Sequence, residues 1–251
     1  DKRNQARELN PEARDEFRSI VYGYMSRVRR DDANLLFPDR IVQMHKVDAT
    51  PAELKLIDTI GGAIQNLNLL AQFSILQSLA SSPDALMAQV LNMARNGTLP
   101  ADVATAVKAI VTTMPRSAKL NGLGRLVDQL KKENPERWRL VVFTGRRETQ
   151  TSIQTFLEDQ GLKVGIINGD SGERNQETIT KFQKNPPEIS VIVSTEAGSE
   201  GVNLQAANVL VNYDLPWNPM IVEQRIGRIQ RLASGHAHVS IYNLMLRDTF
   251  E

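Results

Sequence analysis

The sequence contains no cysteine, which excludes disulfide bonds and every zinc site built on thiolates. It also lacks any uninterrupted apolar run that approaches the roughly 20 residues needed to span a bilayer. No charged-then-apolar leader is present either, so we expect a cytoplasmic protein with no membrane association. With 251 residues, of which 41% are hydrophobic, the chain can bury a substantial core as one large or two small domains.

The sequence also contains neither Gly-Lys-Ser nor Gly-Lys-Thr, which excludes the Walker-type loop that binds nucleotide phosphates. Asp15-Glu16 offers an acidic pair of the kind that holds magnesium in ATPases. No apolar strand leads into that pair, and we interpret it as a solvated helix start. The sequence therefore predicts that this chain cannot hold a nucleotide alone.

The sequence has no excess of charge of one sign: 30 Lys and Arg residues stand against 29 Asp and Glu residues, for a formal net charge of +1. This balance does not indicate nucleic acid binding by itself. Any surface for nucleic acid must then be a local basic patch that acidic residues offset elsewhere.

From about residue 137 onward, short apolar runs alternate with amphipathic segments, which is typical of a parallel sheet covered by helices. The part before about residue 116 has long helical patterns instead, with a charged helix over 12–30, a strand over 40–50, and a helical segment over 51–113 that breaks near 81–83 and 97–100. The predicted strands of the sheet are 139–143, 163–167, 189–193, 208–212 and 238–244. We predict an α/β protein with a doubly wound parallel sheet and an N-terminal helical subdomain.

The stretch QRIGRIQR at 224–231 places Arg225, Arg228 and Arg231 three residues apart on one side of a predicted helix, as one clamp. Ile226 and Ile229 lie between them and are expected to pack inward. Guanidinium groups stay charged and form forked hydrogen bonds to phosphate oxygens, so this helix suits a polyphosphate. The alternative is a solvated helical face. Gly227, which weakens the helix by about 1 kcal/mol, favours a functional surface instead.

Polar loops follow four of the predicted strands: TGRRETQ, NGDSGER, STEAGSEGVNLQ and YDLPWNP. Because ligands of open parallel sheets bind at the carboxyl ends of the strands, we expect these loops to form one polar surface. The chain thus combines the arginines of an ATPase with no phosphate loop, which indicates half of an active site.

These segments together resemble the superfamily 2 helicases and translocases, in particular their Swi/Snf-type and RapA-like branch. QRIGRIQR is similar to motif six of that family, STEAGSEGVNLQ to motif five, RLVVFTGRRET to motif four, and YDLPWNPMIVEQ to the segment between five and six. The resemblance implies the end of a first lobe and a crossing segment over 1–50, a helical protrusion over 51–115, and a RecA-like, P-loop NTPase-like helicase C-terminal lobe over 116–251.

Taken residue by residue, the resemblance implies that Arg228 and Arg231 are catalytic arginine fingers that reach ATP on another lobe. It places four residues near the nucleotide: Glu200, Gly201, Asn203 and Arg225. Asn203 stands where related helicases often have Asp, which weakens the expected ribose contact.

Four further residues match positions that contact the nucleic acid backbone: Thr144, Gly145, Arg146 and Thr195. Trp217 matches a tryptophan that couples nucleotide state to strand movement, with a packing role as the alternative. Arg146 and Arg147 are also compatible with a solvated loop, and Lys119 is expected at the surface of a helix start.

The resemblance implies the C-terminal motor lobe of an ATP-dependent DNA translocase. ATP with Mg²⁺ would be held mainly by an N-terminal RecA-like lobe of the same protein, the substrate would be DNA that we expect to be double-stranded, and the isolated fragment would be inactive as an ATP hydrolase. Two other hypotheses remain open: a non-catalytic nucleic-acid-binding or scaffold domain, and a strand-separating RNA or DNA helicase.

Overall fold

The computed structural model describes residues 13–24, 37–133, 138–170, 172–199, 201–231, 235–247 and 249. The chain divides into two compact units, Asp1–Leu36 and Phe37–Glu251. The described part of the first unit is helix α1 (Ala13–Tyr24), whose first turn carries Asp15 and Glu16 near the positive end of the helix dipole. The predicted charged helix is confirmed over this range, and its basic end at 26–30 lies outside the described residues.

A six-stranded parallel sheet forms the centre of the second unit, with the strand order β1-β6-β5-β2-β4-β3. The strands are β1 (Asp39–Val47), β2 (Leu140–Phe143), β3 (Val164–Ile167), β4 (Val191–Ser194), β5 (Val209–Asn212) and β6 (His238–Leu246). All residues of β2, β4 and β5 are buried, as expected of apolar runs covered on both faces. The predicted doubly wound sheet is confirmed.

Strand β1 confirms the strand predicted over 40–50 and joins it to the sheet, while the assignment of residues 1–50 to a first lobe and a crossing segment stays a prediction. It pairs in parallel with β6 from Asp39 opposite His238 to Val47 opposite Leu246. This backbone pairing at the sheet edge extends the sheet to the start of the second unit. The pairing partner lies about 200 residues away, so no local pattern indicates it.

Alternate residues of each strand face opposite layers of helices. Leu140 and Val142 pack into one hydrophobic cluster with helices α6 (Ala118–Glu133) and α7 (Arg147–Asp159). Val141 and Phe143 pack into another with helices α8 (Gly172–Gln183) and α10 (Pro219–Ile229). Because side chains alternate along β2, this strand contributes to the hydrophobic clusters on both faces of the sheet.

The N-terminal part of this unit is a helical subdomain with its own hydrophobic core, made of α2 (Pro51–Ala63), α3 (Leu69–Ser81), α4 (Pro83–Arg95) and α5 (Ala101–Thr113). The predicted breaks near 81–83 and 97–100 are confirmed. A further break at 64–68 was not predicted, although Asn68 accepts a hydrogen bond from the backbone N–H of Ala71 and so caps α3. None of the helices within the described ranges is long and apolar enough to cross a membrane.

The helical subdomain is attached to the sheet layers by polar contacts of buried side chains. Glu53 closes a capping box with Thr50 at the start of α2 and also accepts the backbone N–H of Ala118, at 3.2 Å, at the start of α6. One carboxylate thus caps two helices that belong to different parts of the fold.

Gly198, in the short helix α9 (Glu196–Ser199), marks a close backbone approach to Asn168 after β3. A Cβ atom there would lie 2.4 Å from the Asn168 Cα atom. Because backbone on both sides has to move, we expect Gly198→Ala to lower the free energy of unfolding by about 2 kcal/mol in urea titrations. Gly172→Ala, where no atom lies within 4 Å, is the control and should be neutral or slightly stabilising. Equal stability of both variants would contradict the close approach.

Candidate functional site

Three of the four polar loops predicted at the carboxyl ends of the strands come together in one cleft of about 570 Å³. The loops after β2, β4 and β5 form one side of this cleft, and helix α3 forms the other. The lining residues are Ser74, Gln77, Ala80, Gly145, Arg146, Glu196, Asp214, Leu215, Pro216, Trp217 and Arg225. Three of the four predicted loops therefore form the polar surface, whereas no described residue of the loop after β3 lines it. The helical subdomain adds a wall that the sequence did not indicate.

The carboxylate of Asp214 is the most heavily bonded group in this cleft. Its Oδ2 accepts hydrogen bonds from the hydroxyls of Ser81, at 2.6 Å, and Thr144, at 2.7 Å. Its Oδ1 accepts the backbone N–H of Gly145 at 2.9 Å and lies 3.6 Å from Nη2 of Arg225. A single buried side chain therefore ties α3 to the loop after β2 and to α10.

Arg225 is buried with only 2% of its side chain exposed, so its charge has to be compensated inside the protein. Nη2 forms an ion pair with Glu196, and Nη1 donates to Asn212 Oδ1 at 3.0 Å and to the Asp214 carbonyl at 2.8 Å. Nε has no hydrogen-bond partner among the described residues. The guanidinium also lies 5.5 Å from the ring centroid of Phe143.

This setting differs from the one expected for Arg225 as a nucleotide contact. The prediction placed three arginines on one side of a helix, but Arg225 faces the sheet together with Ile226 and Ile229. Adjacent helical residues are about 100° apart, so Arg225 and Ile226 can share the buried face when carboxylates neutralise the arginine. The inward packing of Ile226 and Ile229 was predicted and is confirmed.

Lys119 also differs from its prediction as a surface residue. It is 2% exposed, and its ammonium donates to the carbonyls of Ala80, at 2.7 Å, and Tyr213, at 3.1 Å. Burial raises the pKa of the Tyr213 hydroxyl well above its usual range, so the ring beside Lys119 stays neutral. Lys119 therefore fixes the end of α3 against the end of β5.

Arg228 and Arg231 lie at the end of the arginine helix and are both half-buried. Helix α10 ends at Ile229, so Arg231 follows the helix rather than continuing its surface. Within the described part of the chain, neither guanidinium has a hydrogen-bond or ion-pair partner. No residue that the structure describes therefore neutralises their charges, in contrast to that of Arg225.

The loop after β4 contains the remaining residues predicted near the nucleotide. Gly201 adopts φ +74°, a conformation that favours glycine. The side chain of Asn203 accepts the backbone N–H of Gln205 at 3.0 Å, which shapes the turn. Glu200 lies outside the described residues. The structure thus assigns Gly201 and Asn203 backbone roles, and their contacts with a nucleotide stay predictions.

The four residues predicted to contact a nucleic acid backbone are not equally accessible. Thr144 is fully buried with its hydroxyl bonded to Asp214, and the Thr195 backbone N–H bonds the carbonyl of Ile167. Gly145 is exposed, and Arg146 is half-buried with Nη2 donating to the carbonyl of Ser74 on α3. The Thr144 hydroxyl therefore lies behind the cleft surface, and the contacts of all four residues with a nucleic acid backbone stay predictions.

Trp217 is 58% exposed at the mouth of the cleft and is not the packing plug considered as an alternative. Its ring meets that of Phe73 on α3 edge-to-face, with centroids 5.1 Å apart. Phe73 itself is 43% exposed. Two aromatic rings from different parts of the fold therefore form one exposed pair.

A family model described as "Helicase conserved C-terminal domain" matches residues 118–233, which run from α6 to just beyond α10. The protein "Uncharacterized ATP-dependent helicase YqhH" of Bacillus subtilis (strain 168) is 31% identical over 246 residues, which cover 96% of this chain and 43% of that protein. The chain carries a Snf2-type superfamily 2 helicase C-terminal lobe.

Two solved structures show the same fold as this Snf2-type lobe. The C-terminal part of the Fun30 ATPase domain superposes with a TM-score of 0.58 at 15% identity and covers 85% of this chain and 87% of that one. The SWI2/SNF2 ATPase core domain of Sulfolobus solfataricus superposes with a TM-score of 0.55 at 18% identity, over 94% of this chain and 46% of that one. The chain spans less than half the length of the curated relatives it matches.

Three structural residues of the Snf2-type lobe were not predicted: Ser81, Asp214 and Glu196. Asp214 and Glu196 lie inside the predicted loops, so a carboxylate in a loop that follows a buried strand was an available signal. Ser81 stands in a break that was recognised only as a break between helices. Nothing local distinguishes it from the neighbouring serines.

We expect Asp214→Ala to lower the free energy of unfolding by about 3 kcal/mol, because it leaves buried donors and the Arg225 charge without their acceptor. Asp159→Ala, at an exposed position near the end of α7, is the control and should change it by less than about 0.5 kcal/mol. Urea denaturation followed by circular dichroism measures both. Similar stability of the two variants would show that Asp214 does not organise the cleft.

Proposed function

We propose that this chain is the C-terminal motor lobe of an ATP-dependent DNA translocase, and that Arg228 and Arg231 complete an ATP site whose phosphate loop belongs to another lobe. The observation that carries the proposal is the contrast between the arginines of α10. Arg225 is neutralised by Glu196 and Asp214, whereas the guanidinium groups of Arg228 and Arg231 have no partner in the described part of the chain.

The residues present fit one side of an ATP site rather than a whole one. Unpaired guanidinium groups suit the negative charge that increases on phosphate oxygens during phosphoryl transfer. ATP supplies the phosphoryl group that is transferred to water. The sequence has no Gly-Lys-Ser/Thr loop, so the tight contacts with the phosphates and Mg²⁺ are assigned to an N-terminal RecA-like lobe.

The cleft between α3 and the strand ends is the proposed nucleic acid surface. Arg146 and the backbone of the Gly145 loop would approach phosphates, and Trp217 would contact the strand beside them. The carboxylates of Asp214 and Glu196 also line this cleft, but their oxygens accept hydrogen bonds or ion-pair contacts from internal donors. They would therefore repel phosphate less than free carboxylates would.

Movement along DNA would follow from the closing and opening of the two lobes. ATP between the lobes favours a closed arrangement, and its hydrolysis removes the contacts with Arg228 and Arg231. Since the same α10 helix is anchored through Arg225 to the loop ends that line the cleft, opening at the ATP site would move the DNA contacts as one body.

The arginine assignment is tested in a protein that joins this chain to its ATP-binding lobe. We expect Arg228→Ala and Arg231→Ala each to reduce DNA-stimulated ATP hydrolysis by about a thousandfold, as loss of an arginine finger does elsewhere. Arg95→Ala, an exposed arginine of α4, should leave the rate unchanged. Wild-type rates in the Arg228 and Arg231 variants would reject the assignment, and ATP hydrolysis by the 251-residue chain alone would reject the half-site.

DNA binding is tested by titrating this chain with duplex DNA at several salt concentrations. If phosphates are contacted, the binding constant should fall linearly in log-log form with salt, and Arg146→Ala should reduce the slope by about one. Arg95→Ala should leave the slope unchanged. Affinity that does not depend on salt would favour a scaffold that docks protein, and a preference for single strands would favour a strand-separating helicase.

A further inference from the structure

A chain of buried hydroxyls leads from the helical subdomain to the cleft. Asp214 can only accept, so Ser81 donates to it, at 2.6 Å, and must accept from Thr149, at 2.7 Å. Because the hydroxyl proton of Thr149 is engaged in the bond to Ser81, Thr149 can only accept from Ser82, also at 2.7 Å. Ser82 in turn accepts the N–H of Ala85 and is the N-cap of α4. The direction of every hydrogen bond in this series follows from its two ends, the Asp214 carboxylate and the Ala85 N–H.

The carboxylate at the end of this chain holds the loop that begins the proposed DNA surface. Gly145 N–H donates to Asp214 at 2.9 Å from Oδ1 and 3.1 Å from Oδ2. A carboxylate that accepts hydrogen bonds from three donors, Ser81, Thr144 and Gly145, is fixed in rotation, and the loop that it holds is fixed with it. Ser81 supplies the one hydroxyl in this set that comes from the helical subdomain.

Two other contacts bring the same parts of the fold together. Lys119 binds the carbonyls of Ala80 and Tyr213, which are the residues directly before Ser81 and Asp214. Arg146 donates to the carbonyl of Ser74, two turns earlier on α3. Helix α3 is therefore joined to the loops after β2 and β5 independently of the series of hydroxyls.

Ser78, a buried serine of the same helix, forms no hydrogen bond with Asp214 and serves as a comparison. It is as buried as Ser81, but its hydroxyl donates to the carbonyl of Ser74 in the preceding turn of α3. That local bond satisfies the hydroxyl within its own helix. The hydroxyl of Ser81 instead donates its hydrogen bond to Asp214, which is 133 residues away in the sequence.

We propose that Ser81 and Thr149 are positioning residues that act through Asp214, so that the helical subdomain sets the Gly145–Arg146 loop in its DNA-binding position. The inference rests on the proposed function, because it assigns the loop to DNA. It gives the helical subdomain a role in substrate binding without requiring that it touch DNA.

The test compares four variants of this chain in their affinity for duplex DNA and their stability in urea. Ser81→Ala removes the donor, and Thr149→Val removes the next hydroxyl at constant shape. Each is expected to weaken DNA binding by about tenfold, within the range by which residues outside a site alter binding. Thr149→Ser keeps the hydroxyl and should restore affinity to within about twofold of the wild type. Ser78→Ala is the matched control and should bind as the wild type does.

Each outcome separates the positioning role from the proposed function. If the wild-type chain shows no salt-dependent affinity for DNA, the proposed function fails. If it binds DNA and Ser81→Ala and Thr149→Val bind equally well, the positioning role alone fails. The role is also overturned if Thr149→Ser weakens binding as much as Thr149→Val, or if affinity follows urea stability across all four variants, including Ser78→Ala.

Discussion

The buried charge of Arg225 is the constraint on which the arrangement of the cleft depends. A guanidinium that is 2% exposed is tolerated only where carboxylates and carbonyls surround it, and breaking a buried pair costs about 3–5 kcal/mol. Glu196 after β4 and Asp214 after β5 meet that requirement from two different loops. Neutralising one arginine therefore brings the ends of two strands and helix α10 to the same point, and the cleft is the space that they leave in front of α3.

The same constraint explains why three evenly spaced arginines have different settings. A step of three residues turns about 300° around a helix, so successive arginines rotate away from the face that Arg225 occupies. Arg228 is half-buried and unpaired within the described residues, and Arg231 lies beyond the end of α10 at Ile229. The first arginine anchors the helix, and the other two keep their charge available. Spacing alone, which suggested one clamp of three, does not reveal this division.

The sheet and its loops could be predicted because the information is local. Each strand is a short apolar run, and each polar loop follows one, so their meeting at one edge is a consequence of parallel pairing. The place of β1 in the sheet and the burial of Lys119 could not be predicted, since the pairing partner of β1 and the carbonyls bound by Lys119 are distant in sequence. A lone lysine at a helix start resembles a surface residue until the carbonyls that surround it are known. The capping role of Asn68 was missed because the flanking residues continue a helical pattern.

The helical subdomain is joined to the cleft through both buried and exposed contacts, and the two kinds have different physical consequences. Ser81, Asp214 and Lys119 form buried hydrogen bonds, whose separation would leave polar groups unsatisfied away from water. Phe73 and Trp217, in contrast, meet at the surface and can separate into solvent at little cost. A displacement of the lobe should therefore carry α3 with it, while the aromatic pair at the mouth of the cleft remains free to adapt. A nucleic acid strand that entered the cleft would contact a rigid inner surface held by Asp214 and an adjustable edge formed by the rings of Phe73 and Trp217.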